Sequence, residues 1–459
     1  MMQIFTPSAK PVPKQTAKDS TPPSSPIEYI PNEILVHVMK LAHEPGLPRN
    51  TFSSVLRLSH VSQHFRSVAH NTSELWTAIC PKFPLAYDQV QFWLDVLARS
   101  GARLIDLVIN TEVELRGAEG PYMSFLRAAV SHSNRWHKFE ITSKTWDPIE
   151  LFLKQSRRLV LLPRLEVLTL HHSDDPGRTT NREGEDLTPR FHNILFGKDT
   201  IAPMLKTVRV GATYFDYSRM RSLAKDLAEL HFENHTYPPT SDVPEVIIDM
   251  LRASPGLQIL TLTSLDVHFD NQPQPVELRY LKRLEFRGFP QNATHLFSLL
   301  RVPSLEVLVL GECRFAAEET VTMPPVFAAN SMMRTLIGFF TSSANSPWCW
   351  RAGGLRELSL EYGRCSAREV GRLLRQTTNV ETFRMSSPAI FSVLANNPGI
   401  LPNLRHWVVK SSIFCAPHPF SAILTDRPGV TLSVEGDLTR DGEWLYDTLK
   451  DVHSVTLRT

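Results

Sequence analysis

His60 and His64 stand four residues apart. On a helix that spacing puts both imidazoles on one face, where a zinc ion could be held. No Glu follows His60 in the metalloprotease manner and no third ligand lies nearby in sequence. The pair therefore reads as the polar side of a helix whose other side is apolar. His171, His172, Asp174 and Asp175 are ligand types just past a strand end, and His231 and His235 form a third group. Neither has the spacing of a metal or acid–base site, and a solvated loop accounts for the first. Trp348, Trp350 and Arg351 could stack on a flat ligand. Pro347 and Gly353-Gly354 beside them point instead to a packed loop.

The five cysteines (Cys80, Cys313, Cys349, Cys365 and Cys415) are odd in number, widely spaced and without a CxxC pair. They form no zinc motif or disulfide framework, which fits a reducing compartment and a cytoplasmic or nuclear location. The sequence has no GxxxxGK[ST] loop, strand–GxGxxG–helix unit or GxSxG elbow. No cofactor and no catalytic residue is nominated, and the chain reads as non-catalytic. Its 49 basic and 47 acidic residues leave a formal charge of +2, which gives no electrostatic case for nucleic acid or an anionic membrane. No run approaches the ~18 apolar residues of a membrane span, and the N-terminal stretch lacks the apolar core of a secretory signal.

Binding is what remains, and the elements that would carry it recur along most of the chain. The pattern is apolar-x-x-apolar-x-apolar. It begins at Leu104/Leu107/Ile109 and returns at Trp136/Phe139/Ile141, Leu165/Leu168/Leu170, Leu205/Val208/Val210, Leu227/Leu230/Phe232 and Leu257/Leu260/Leu262. It continues at Leu281/Leu284/Phe286, Leu305/Leu308/Leu310, Leu355/Leu358/Leu360, Val380/Phe383/Met385, Leu404/Trp407/Val409 and Val452/Val455/Leu457, with a degenerate copy at Val430/Leu432/Val434. The period-two part predicts a short strand with one buried face. Helical returns are legible at 121–131, 244–253, 292–301 and 366–376. The 50-residue step from Leu305 to Leu355 predicts a skipped or divergent repeat, and 171–190 reads as a polar loop. Strand alternating with helix at this period predicts an α/β solenoid with a curved parallel sheet. The pattern resembles irregular leucine-rich repeats, with the fuller Leu-x-x-Leu-x-Leu-x-x-Cys only at Leu305–Cys313.

In such a sheet the residues between the buried positions face the concave side. That rule places Thr169, His171, Arg209, His231, Glu233, Thr261, Thr263, Glu285, Arg287, Ser359, Glu361, Arg384 and Lys410 on one surface. We expect His171, Arg209, Glu233, Glu285, Arg287, Glu361, Arg384 and Lys410 to be its substrate-reading residues. The mixture of signs suits a polypeptide partner rather than a phosphate backbone. Simple solvation of many of these positions is the plainer account.

Ahead of the repeats lie a Pro/Ser/Thr-rich tail (1–26), expected to be disordered, a helical module (27–80) and a linker helix (81–100). The solenoid is expected over 101–459. In the module, Ile30, Ile34, Leu35, Val38 and Leu41 fall on one stripe, and Leu58, Val61, Phe65 and Val68 on a second. Asn71, Thr72 and Ser73 precede Leu75 and Trp76 as capping candidates. About 50 residues cannot bury all of this apolar surface on themselves, so the rest must meet the repeats or a partner.

Ile30-Pro31-Asn32-Glu33-Ile34-Leu35, then Val61-Ser62-Gln63-His64-Phe65-Arg66, then Leu75-Trp76 resemble, in order, the three parts of an F-box. The first connection, 42–55, is longer than usual for that family. With the linker helix and repeats, the chain is similar to a group of fungal F-box proteins. The resemblance implies a small three-helix F-box module followed by an irregular leucine-rich-repeat solenoid. It also implies a role as substrate-recognition subunit of a Skp–cullin–F-box ubiquitin ligase. The helices would dock on a Skp-family adaptor, and through it a cullin, by Pro31, Ile34, Leu35, Val38, Val61, Phe65 and Trp76. The repeats would hold a protein substrate. A non-catalytic interaction scaffold, with the helices only capping the solenoid, is the alternative. An enzyme with its site in the 171–200 or 313–354 insertions is a third reading.

Overall fold

The computed structural model describes residues 30–42, 51–115, 117–173, 195–197, 200–211, 220–223, 225–233, 243–263, 274–288, 290–311, 325–341, 350, 352–361, 366–386, 389–410, 423–435 and 455–458. The expected tail (1–26), Asp174, Asp175, His235, Trp348, Arg351 and the cysteines other than Cys80 lie outside them, as does most of the 42–55 connection and of the 171–190 loop. The chain divides into two compact units, Met1–Leu75 and Trp76–Thr459. Trp76 and the residues up to 80 thus fall in the second.

Among the described residues the first unit has three α-helices, α1 (Asn32–Ala42), α2 (Thr51–Ser59) and α3 (Gln63–Asn71). Ser62 starts α3, its Oγ accepting from the Phe65 amide at 3.2 Å. The His64 imidazole lies 3.3 Å from the Ile30 carbonyl and ties α3 to the start of α1. Leu35, Met39, Val55, Phe65, Val68 and Ala69 are buried.

The second unit is a repeating strand–helix array. It opens with β1 (Ala78–Ile79), β2 (Lys82–Phe83), α4 (Tyr87–Arg99), β3 (Ile105–Thr111), α5 (Glu119–Ser131), β4 (Trp136–Ser143), α6 (Asp147–Ser156) and β5 (Val167–His172). Next come β6 (Thr207–Gly211), α7 (Met220–Leu223), β7 (Glu229–Glu233), α8 (Val243–Ala253), β8 (Ile259–Thr263), β9 (Val276–Glu277), β10 (Arg283–Arg287), α9 (Pro290–Leu299) and β11 (Leu300–Arg301). The array ends with β12 (Val307–Gly311), α10 (Pro325–Thr341), β13 (Glu357–Glu361), α11 (Ala367–Gln376), β14 (Thr382–Met385), α12 (Ala389–Ala395), β15 (His406–Lys410), β16 (Thr431–Glu435) and β17 (Val455–Arg458).

Fifteen of these strands form one curved parallel sheet in which neighbours in the array are neighbours in the sheet. β1 and β2 both pair with β3, and β9 pairs with β11 apart from the main sheet. The second and third residues of every apolar triplet lie on a strand. β8 and β10 alternate buried and half-buried residues, whereas β5, β12, β13 and β16 carry three or more buried residues in a row. Parallel sheets usually have both faces covered and lose this alternation. In β8 and β10 the period of two survives, with alternate residues left half-buried.

One expectation narrows and another needs correcting. The 50-residue step skips no strand of the main sheet, which leaves the divergent repeat of the two alternatives: β12 pairs directly with β13, Leu308 opposite Leu358, and the described part of the extra chain includes the 17-residue α10. The first inward residue of β3 is Ile105 rather than Leu104, which is 46% exposed, because alternation counted from Leu107 reaches 105.

Inside, the core is aliphatic with aromatic clusters. Trp136 stacks on Phe139 and Phe139 on Phe152, with Phe196 edge-on to Phe152. Trp350 lies in contact with Phe297, Phe339 and Phe340 and donates its indole N–H to the Leu300 carbonyl. It is a packed core residue.

Candidate functional site

The first unit carries an exposed apolar stripe. Ile34, Val38 and Leu41 lie at i, i+4 and i+7 on α1 and are 54%, 44% and 68% exposed. Val61, just before α3, is 52% exposed, and Pro31 is also exposed. Leu35, Phe65 and Trp76, expected among the docking residues, are buried. Ile34 and Leu35 are adjacent in sequence, and a 100° turn of helix separates a solvent-facing residue from a core one. Leu41 belongs with the exposed set. Its signal was present, since it continues the Ile34–Val38 spacing by one more turn.

The second surface is the open face of the sheet. Parallel register lines its outward residues into rows. One row runs Glu140, Thr169, Arg209, His231, Thr261, Glu285, Val309, Ser359, Arg384, Val408. The next runs Thr142, His171, Gly211, Glu233, Thr263, Arg287, Gly311, Glu361. All eight expected substrate-reading residues lie on strands of this sheet. Lys410 takes the register position opposite Glu435.

The two ends of this face differ. From β10 to β16 its charges are joined to one another. Arg283 and Arg287 both bond Glu285, at 3.2 and 2.8 Å, and Arg287 also reaches Glu361. Arg384 bonds Glu357 at 3.1 Å and Glu435 at 2.9 Å. Beneath these pairs Val309, Ser359, Val408 and Ser433 are at most 4% exposed, although they point away from the helices. Partial burial works against charge on Glu285, but bonds from Arg287 and Arg283 prevail and hold its carboxyl below the usual range. Burial likewise opposes the Arg287 charge and is outweighed by Glu361 and Glu285, so its pKa is raised.

From β4 to β8 the face is more open. Arg209 pairs with Glu229 at 3.1 Å, its side chain 47% exposed, and His171 lies 3.6 Å from Glu233. Burial, and secondly Arg209, lower the pKa of His231. Glu229, Glu357 and Glu435 complete these pairs and were absent from the expected set. Residues 20 to 74 apart in sequence meet here only through strand register.

The other groups that could do chemistry disperse. His60 is exposed and His64 bonds a backbone carbonyl. His172 is buried, edge-on to Trp146. Burial pushes the Cys80 thiol up to about 11, away from thiolate reactivity. Among the described residues no group of three His, Cys, Asp or Glu is arranged to hold a metal ion, and no helix is long and apolar enough to cross a membrane.

Residues 27–82 match the F-box-like family. No curated protein matches the chain. Solved structures that are similar include a chain of the yeast Rad7–Elc1 complex, with 14% identity, 93% of this chain and 92% of that chain covered, and a TM-score of 0.38. A chain of the TLR13–ssRNA13 complex is similar over 79% of this chain and 40% of its own, with 13% identity and a TM-score of 0.28.

Proposed function

We propose that the chain is the substrate-recognition subunit of a Skp–cullin–F-box ubiquitin ligase. The observation that carries this reading is the coincidence of the F-box-like match at 27–82 with the exposed stripe Ile34, Val38, Leu41 and Val61. Apolar side chains left in water on so small a helical unit are the natural contacts for a partner. A Skp-family adaptor would cover them and link the chain to a cullin, in the cytoplasm or nucleus. The strand–helix array, in this reading a divergent leucine-rich-repeat solenoid, would hold a protein substrate on its open sheet face. The β4–β8 end, with Arg209 and Glu233 exposed, suits that role better than the internally paired β10–β16 end. The chain would perform no covalent chemistry. Its contribution would be proximity, raising the effective concentration of a substrate lysine beside activated ubiquitin.

In the scaffold alternative the helices only cap the repeats and no adaptor binds. Calorimetry of a purified Skp adaptor against the full chain, and against a chain lacking residues 1–75, tests the proposal. The cut falls at 75 because Trp76, Ile79 and β1 belong to the sheet unit. Tight binding that disappears on truncation supports the ligase reading. No binding by a folded full-length chain overturns it and leaves the scaffold.

A further inference from the structure

The helical layer of the second unit is uneven in charge. The helix α8 carries Glu245, Asp249 and Arg252, and α6 carries Asp147, Glu150 and Lys154. By contrast α10, α11 and α12 together carry four arginines (Arg334, Arg368, Arg372 and Arg375) and a single carboxylate, Glu369. That carboxylate is buried and already engaged, by Arg334 at 3.2 Å and Arg372 at 3.3 Å, while those two side chains remain 66% and 50% exposed.

Arg368, Arg372 and Arg375 stand at i, i+4 and i+7 on the solvent side of α11, spanning about 10 Å. Among the described residues Arg368 makes no ion pair, and Arg375 bonds only the neutral Asn397 amide, at 3.3 Å. Helix stability accounts for Arg375, in the last turn, and for the Glu369–Arg372 pair, but not for Arg368. A cation in the first turn, where Arg368 sits, opposes the helix dipole, and like charges at i, i+4 repel. Ser366 already supplies the N-terminal cap, its Oγ accepting from the Glu369 amide. All four cations are arginines, whose planar forks bind carboxylates two bonds at a time.

We propose that α11, with Arg334 of α10 at its side, is a docking surface for an acidic polypeptide segment. An anionic membrane is disfavoured because, among the described side chains of α10–α12, no large apolar one is exposed to enter it. A nucleic acid is disfavoured because the chain as a whole is nearly neutral and, among the described side chains there, no aromatic is exposed for bases to stack on. The surface lies on the helices, away from the open sheet face, and is independent of the ligase reading.

The test is fluorescence anisotropy of a labelled oligoglutamate peptide with the full-length chain at low and physiological salt. Duplex DNA and phosphatidylserine vesicles run beside it. The key variant is Arg368→Glu with Arg375→Glu, which leaves the two arginines on Glu369 in place; Arg368→Gln with Arg375→Gln replaces it if the reversal disturbs folding. Saturable binding to oligoglutamate, weakened about tenfold or more by the double substitution and by salt, is the expected result. Absent binding, binding unchanged in a folded variant, or stronger binding to DNA or vesicles at the same residues would overturn the proposal.

Discussion

Arg287 on β10 reaches across β12 to Glu361 on β13, with Nη2 3.3 Å from Oε1. The residue between them in the register is Gly311. Strands lie about 4.8 Å apart, so a pair that skips one must span nearly 10 Å. Here a long side chain does this by passing over a very small one. The same device recurs where His171 faces Glu233 over Gly211. A Cβ on Gly311 would stand 3.1 Å from Arg287 Nη1 and 3.5 Å from the Glu361 Cβ.

Gly311→Leu is therefore expected to displace the Arg287–Glu361 pair and cost about 1–3 kcal/mol, typical of overpacking. Urea denaturation would measure it. In an Arg287→Ala background much of the added cost should vanish, since the crowding is against Arg287 itself. Equal costs in both backgrounds would show that the glycine matters for some other reason.

Acid should weaken the paired end of the face. The folded-state pKa of Glu285 is depressed, so its contribution is present above the usual carboxylate pKa of 4.5 and is lost as pH falls through the folded value. Glu285→Gln should reduce stability at pH 7 and flatten the stability curve below about pH 4.5. His231 acts in a higher window. Its folded pKa is lowered, so the unfolded chain binds the extra proton first and stability falls as pH drops below 6.5. His231→Gln should shallow the slope between neutrality and pH 5, as read from urea midpoints across that range.

On α1, neighbouring substitutions should behave in opposite ways. Ile34→Asp and Val38→Asp place charge where solvent already reaches, so circular dichroism and melting should stay near wild type while adaptor binding is lost. Leu35→Asp puts a carboxylate at a position 1% exposed and should cost several kcal/mol, unfolding the helical unit. Adaptor binding retained by both folded surface variants would remove the stripe from the docking site.

Arg135 is a buried cation held by carbonyls. Its guanidinium donates to the Gly101 carbonyl, to the Arg103 carbonyl at 3.1 Å and to Ser100 Oγ at 3.0 Å, all just beyond the end of α4. Burial lowers its pKa. Arg135→Met would leave those acceptors without their donor, with an expected loss of about 2–3 kcal/mol by chemical denaturation. A change below about 0.5 kcal/mol, the size of an ordinary surface substitution, would show that water replaces it without penalty.

Read alone, the chain was enough to determine every strand that the triplets marked, because alternation of buried and open residues is a local property of extended backbone. Leu284 and Phe286 announce β10 whatever lies beside it. Helices with a clear apolar spacing, such as 366–376, were legible for the same reason. The stretch from Leu305 to Leu355 was not, because length alone does not distinguish a missing strand from a long helix such as α10. Only the tertiary structure decided which charges on the sheet face answer one another. Arg287 and Glu361 are 74 residues apart in sequence and meet because strand register and an intervening glycine bring them together. It also decided between Ile34 and Leu35. Both fit an apolar stripe, and which one enters the core depends on where the neighbouring helices pack.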